Sequence, residues 1–167
     1  VKDYGEAIRW MDDPSEEIQL AAIAQDPVAV RCIYKPTLNV QLAAVRTSGA
    51  VIEFLDDPSE EVQLEAVKEW AGAIEFIKNP TEVVQLAAVS KSGLVIKSLS
   101  SPSVKVQKAA IRQNPNSVRN IKNPTKELIS GINLDITDIE SNPILIKFIE
   151  NPSEEFQLAA VKSKGFP

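Results

Sequence analysis

Proline followed by Ser or Thr recurs at Pro14, Pro36, Pro58, Pro80, Pro102, Pro124 and Pro152. The first five intervals are all 22 residues and the last is 28, so seven units run from Gly5 to Gly165, with a six-residue insertion falling within 125–143. A unit this short cannot bury an apolar face by itself, and copies must stack to make a continuous core. The whole of 1–167 is therefore expected to form one repeat domain.

Each unit holds two apolar stretches with the proline between them. Six and three residues before the proline stand pairs such as Val30 and Ile33, Ile52 and Leu55, or Ile74 and Ile77. That spacing lines one face of a short helix of roughly two turns. After the proline, Val84, Ala88 and Val89 exemplify positions +4, +8 and +9, the stripe of a second helix of about three turns. Asp13, Asp57, Asn79, Ser101, Asn123 and Asn151 precede the proline and are expected to cap that helix. The proline would then be its first residue and Glu16, Glu60, Glu82 and Glu154 would complete a capping box, with Lys35 the one break in the pattern. Pro27, Gly49, Gly93, Pro115 and Gly165 close units. The fold class that follows is all-α: an α-solenoid of about seven 22-residue helix-turn-helix repeats. Trp10 and Met11 in the first unit, and Phe156 and Val161 in the last, keep the apolar pattern to both ends, which suggests a fragment of a longer array or end-to-end self-association.

The run Asp57-Pro58-Ser59-Glu60-Glu61-Val62-Gln63 with Glu65-Ala66-Val67 resembles the second-helix signature of HEAT repeats. Val-Gln-Leu-Ala-Ala-Val, at 40–45 and 84–89, is similar to uncharacterised short helical repeats of bacterial and phage proteins. The match departs in unit length and in Gln19, Gln41, Gln63, Gln85, Gln107 and Gln157, which occupy the place of an Arg. What the resemblance implies is a binding scaffold, with nucleic-acid binding and enzymatic activity as its rarer outcomes.

Several side chains invite a chemical reading. The Gln column reads as a ladder in which amides bond to one another and to the next unit's cap. The pairs Glu16 and Glu17, Glu60 and Glu61, and Glu154 and Glu155 recur in the first turn of a helix, where the macrodipole favours negative charge, and a catalytic pair would be needed once. Cys32 shares a column with Trp10, Phe54, Phe76 and Phe148 and reads as a small buried hydrophobe. The chain has no His, so the commonest general base and zinc ligand are missing. Asp135, Asp138 and Glu140 lie in the insertion without the ligand density of a calcium loop, and the insertion is expected to be a solvated lengthening of the second helix or its exit loop. No catalytic residue, metal or cofactor is assigned, and the chain is expected not to be an enzyme.

Charge is where the units differ. Residues 1–83 carry 7 basic and 16 acidic side chains, net −9, while 84–167 carry 11 and 7, net +4. No Asp or Glu occurs between Val83 and Lys126, a span holding Lys91, Lys97, Lys105, Lys108, Arg112, Arg119, Lys122 and Lys126. Lys105, Lys108 and Arg112 fall on one helix face, and Lys108 replaces the Leu of other units. Tyr34, Leu38 and Trp70, with Val83 and Val104, stand where most units are polar and are expected to anchor a protein. Three functions follow. The first is a non-enzymatic interaction module that binds a protein partner through these charged and variable positions. The second is a HEAT-like array that lays nucleic-acid phosphates along Lys91–Lys126, and the third, suggested by the phage-like repeats, is an anti-defence inhibitor or acidic nucleic-acid mimic. No apolar run is long enough to span a membrane, and the single cysteine fits a reducing compartment, so a cytoplasmic location is expected.

Overall fold

A computed structural model describes residues 5–130 and 132–163, without the side chains of Glu6 and Lys126. Gly131 and Gly165 lie outside the described residues. Among those described every regular element is helical, and the chain is all-α. It divides into two compact units, Val1–Lys91 and Ser92–Pro167, with the division at a junction between repeats.

The first unit holds four repeats. Each pairs a six-residue 3-10 helix with a ten-residue α-helix: Gly5–Trp10 with α1 (Glu16–Gln25), Pro27–Cys32 with α2 (Leu38–Thr47), Gly49–Phe54 with α3 (Glu60–Glu69), and Ala71–Phe76 with α4 (Glu82–Lys91). The α-helices stack in order as one layer and the 3-10 helices as the other, a solenoid-like arrangement. The second unit holds three repeats: Gly93–Ser98 with α5 (Val104–Gln113), Pro115–Asn120 with α6 (Lys126–Ile129) and α7 (Ile136–Ser141), and Pro143–Phe148 with α8 (Glu154–Lys162). Here α5 packs on α6, α7 on α8, and the first two 3-10 helices on each other.

The expected α stripe is the core. Val40, Val62, Val84 and Val106 at +4, Ala44, Ala66, Ala88 and Ala110 at +8, and Val45, Val67, Val89 and Ile111 at +9 are wholly inaccessible to solvent. Each such Val or Ile contributes about 1.5–3 kcal/mol relative to an exposed one. Alanine at +8 lets successive α-helices approach closely. At the ends the same columns open: Ile18 at +4 of the first repeat and Val161 at +9 of the last are exposed.

The upstream helix is of the 3-10 type. The −3 residue follows this helix as its extended C-cap, and its N–H donates to the −6 carbonyl, as from Ile33 to Val30 and from Leu55 to Ile52 at 3.1 Å. A further column at −7, made of Ala29, Val51, Ala73, Val95, Ser117 and Leu145, is also buried. Asp26 and Asn114 cap two of these helices, accepting from the N–H of Val28 at 2.9 Å and of Asn116 at 3.0 Å. Gly49 and Gly93 start two others so close to their own α-helix that a Cβ would lie 2.4 Å from the Ala66 carbonyl oxygen and 2.2 Å from that of Ala110.

The capping scheme is displaced by one residue from the expectation. Thr37, Ser59, Thr81, Ser103, Thr125 and Ser153, which follow the proline, accept from the N–H three residues on at 3.3–3.5 Å. The pre-proline residues Asp13, Lys35, Asp57, Asn79, Asn123 and Asn151 instead take left-handed backbone, with φ of 47–54°. Proline disfavours right-handed helix in the residue before it, and Asp and Asn accept the left-handed region at least cost. The Gln column is also local. Each Gln Nε2 donates to the carbonyl of its own repeat's proline, five residues back, at 2.7–2.9 Å. The amide therefore locks the turn that launches the α-helix rather than linking neighbouring repeats.

Contacts between repeats come from other residues. Glu16 accepts from Asn39 in the first turn of α2 at 3.0 Å and Glu60 from Thr81, just before α4, at 2.6 Å, so two of the recurring glutamates reach the start of the next repeat's α-helix. The insertion does not lengthen the sixth repeat's α-helix; it splits it into α6 and α7. Asp135 and Asp138 form a reciprocal capping box that starts α7, and Ile139 takes the buried place of the +9 residue.

Candidate functional site

The basic residues of the second unit divide between its layers. On α5, Lys105 and Arg112 are exposed and Lys108 is half-buried, all on one face as the spacing predicts. Lys108 stands where other repeats carry Leu and, like Leu64 and Leu86, is half-buried. On the 3-10 layer, Lys97 and Lys122 are exposed and line one groove. Arg119 is exposed too, but its Nε donates at 2.9 Å to Oδ1 of buried Asn142, whose Nδ2 reaches the Pro115 carbonyl at 3.4 Å. Lys91 belongs to the first unit, where it caps the end of α3 through the carbonyls of Lys68 and Glu69. Lys126 opens α6, and its side chain is outside the described residues. Lys91 and Arg119 thus make structural contacts, Lys105, Lys108 and Arg112 share one face of α5, and Lys97 and Lys122 line the groove.

The groove has a volume of about 370 Å³ and lies between the fifth and sixth repeats. Ile96, Leu99 and Ile121 supply its apolar floor; Lys97, Lys122, Ser98, Ser100, Ser101 and Asn120 supply polar walls, with no carboxylate among its lining residues. Its origin is a departure from the repeat. At −4 the third and fourth repeats carry Phe54 and Phe76, whereas the fifth and sixth carry Ser98 and Asn120. At −5 the third and fourth carry Glu53 and Glu75, and the fifth and sixth carry Lys97 and Arg119. The −4 side chains at the groove are thus small and polar where the third and fourth repeats carry benzyl groups. Column-by-column comparison of the repeats would have found this signal, but the −4 column reads as core in an apolar count.

That column is in fact surface. Trp10, Phe54 and Phe76 are exposed, Trp10 at 84%, and Cys32 is half-buried rather than buried, with the Arg9 guanidinium 3.7 Å from its Sγ. The −4 residue is the last of each 3-10 helix, one turn beyond the buried −7 position, and stands at the open end of that face. Tyr34 is 86% exposed beside the Lys35 ammonium, 5.2 Å from its ring centre. Trp70 caps α3 and packs on Phe76 with ring centroids 6.2 Å apart, and Leu38 opens α2, half of it in solvent. Among the described residues no aromatic side chain belongs to the buried core, which is built of Ala, Val, Ile and Leu.

A second groove, of about 430 Å³, lies in the second unit between the insertion and the last repeat, lined by Ile129, Leu134, Phe148 and Phe156 with Glu127 and Glu150. Ser130 and Asn133 also line it, so its lining is of mixed polarity, and it holds none of the expected site residues. The described residues contain no group of three or more His, Cys, Asp or Glu placed to hold a metal, and no helix among them is long and apolar enough to cross a membrane. Among the described residues, Glu65 and Asp135 have lowered pKa values. Lys68 and Arg46, 2.8 and 3.0 Å away, hold Glu65 below the usual carboxylate range, and the Thr137 hydroxyl and Asp138 N–H do the same for Asp135. Both shifts accompany structural contacts.

No family model matches the chain, and neither a curated protein nor a solved structure matches it.

Proposed function

We propose that the chain is a non-enzymatic interaction module whose stacked repeats present side chains to a protein partner. The observation that carries this reading is the placement of the aromatic residues: Trp10, Tyr34, Phe54, Trp70 and Phe76 all stand exposed in the first unit, while the core is aliphatic. Exposed Trp and Tyr are the side chains that most often dominate protein interfaces. The HEAT-like resemblance of the repeats points the same way, to a scaffold. Trp10→Ala with Tyr34→Ala tests it, because both rings are almost fully in solvent and their loss leaves packing untouched. Affinity capture from the native cell should lose its co-purifying protein in this variant at unchanged melting temperature. Equal capture by both forms would refute the assignment of these rings.

A nucleic-acid-binding reading draws support from the shared face of Lys105, Lys108 and Arg112 on α5. Against it, Lys91 and Arg119 are engaged in structural contacts and no aromatic lies in the basic span to stack a base. Duplex DNA and RNA binding measured against salt, with the three residues changed to Glu, separates the readings. Tight, salt-steep binding lost in the triple variant would favour nucleic acid.

A further inference from the structure

We infer that the groove between the fifth and sixth repeats is a slot for an extended acidic peptide segment that also carries aliphatic side chains. The inference rests on the protein-binding reading above and names the partner's chemistry at a second surface.

Three features converge on this occupant. The first is charge. Lys97 and Lys122 both line the groove, no carboxylate lines it, and the surrounding sequence from Val84 to Lys126 contains none. Positive potential in a cleft with low-dielectric walls is focused there and raises the local concentration of an anionic partner. The second is the floor. Ile96 and Ile121 are buried and Leu99 is half-buried, so the base of the groove rewards an aliphatic side chain. A phosphodiester backbone has no group to place there. The third is the polar wall: Ser100, Ser101 and Asn120 offer hydroxyl and amide groups that can pair with the main chain of an extended strand. A volume of about 370 Å³ is near the lower end of the ~300–1,000 Å³ usual for ligand pockets, enough for a few side chains of a peptide.

The repeat supplies an internal control. Where Ser98 and Asn120 stand, Phe54 and Phe76 show that the same backbone carries a benzyl group. Ser98→Phe therefore fills the slot with a residue the scaffold already accommodates elsewhere. Lys97→Glu with Lys122→Glu inverts its charge from exposed positions.

The test is fluorescence anisotropy with a labelled peptide of randomised Glu, Asp and Leu, alongside a randomised Lys, Arg and Leu peptide, inorganic phosphate and duplex DNA. The natural chain should bind the acidic peptide, more weakly as salt rises, and prefer it to the other three. Ser98→Phe and the double Glu variant should each weaken that binding by about tenfold or more at unchanged melting temperature. Trp10→Ala with Tyr34→Ala should leave it intact, which separates failure of the slot from failure of the aromatic surface. The inference is overturned if the acidic peptide does not bind, if phosphate or DNA binds in preference, or if both groove variants bind it as the natural chain does. Should Ser98→Phe melt early, the double Glu variant decides by itself.

Discussion

Lys35 is the least suited of the residues that precede a repeat proline: it takes φ of 49° with neither the Asx side chain nor the missing Cβ that eases left-handed backbone. Lys35→Asn should stabilise the protein by about 1 kcal/mol, less the small exposed contact of its ammonium with Tyr34, and thermal unfolding should rise by ~2–4 °C. A lower melting temperature would show that the lysine is held by something stronger than that ring. Gly93→Ala should act in the opposite sense, since its Cβ would press on the Ala110 carbonyl and on the Ser117 hydroxyl, costing about 1–3 kcal/mol in denaturant unfolding. The buried stripe was legible residue by residue because +4, +8 and +9 recur at helical spacing. The caps were not, because Asp or Asn followed by Pro and then Ser or Thr offers two cap candidates one residue apart. The structure takes the second.

Within an element, i, i+3 spacing over six residues fits an α-helix and a 3-10 helix equally, so the type of the upstream helix could not be read from apolar positions alone. The proline-bounded length decides it: a 3-10 segment completes two turns in six residues, and an α-helix does not. The same ambiguity hid the exposure of the −4 column. The six extra residues were visible as a longer interval, but their division of one helix into α6 and α7 depends on the Asp135–Asp138 capping box, a local contest between capping and continuation. Between elements, Glu65 of α3 joins Arg46 of α2 and Lys68 of its own helix. Because its folded pKa is depressed, this carboxylate stabilises the fold above the ordinary Glu pKa, and the contribution disappears as pH falls through that range to the folded value. Arg46 and Lys68 are mostly exposed, so after solvent screening the effect is about 0.5 kcal/mol. Glu65→Gln should show that much less stability at neutral pH and none less at pH low enough to protonate the carboxylate in both states. A difference that persists in strong acid would assign Glu65 a packing role instead.

Over the whole molecule, regularity and departure divide the labour. The columns that repeat, at −7, −6, +4, +8 and +9, form the core of each unit, and the Pro–Gln turn bond recurs in six of the seven repeats. Departures gather on the outside, at Ser98, Asn120, Lys97 and Lys108 in the second unit and at Tyr34 and Trp70 in the first. The division between the acidic and basic halves was plain in the residue counts, and the repeat count followed from the proline spacing. The groove was not, because it arises from two missing rings in a column that reads as core. The decisive measurement is a paired one, on a chain in which Ser98→Phe and Lys108→Leu restore the repeat's own pattern. Thermal unfolding and acidic-peptide titration of one preparation should give a melting temperature equal to or above that of the natural chain, together with loss of peptide binding. A lower melting temperature with peptide affinity retained would contradict the claim that the departures serve binding and the repeats serve the fold.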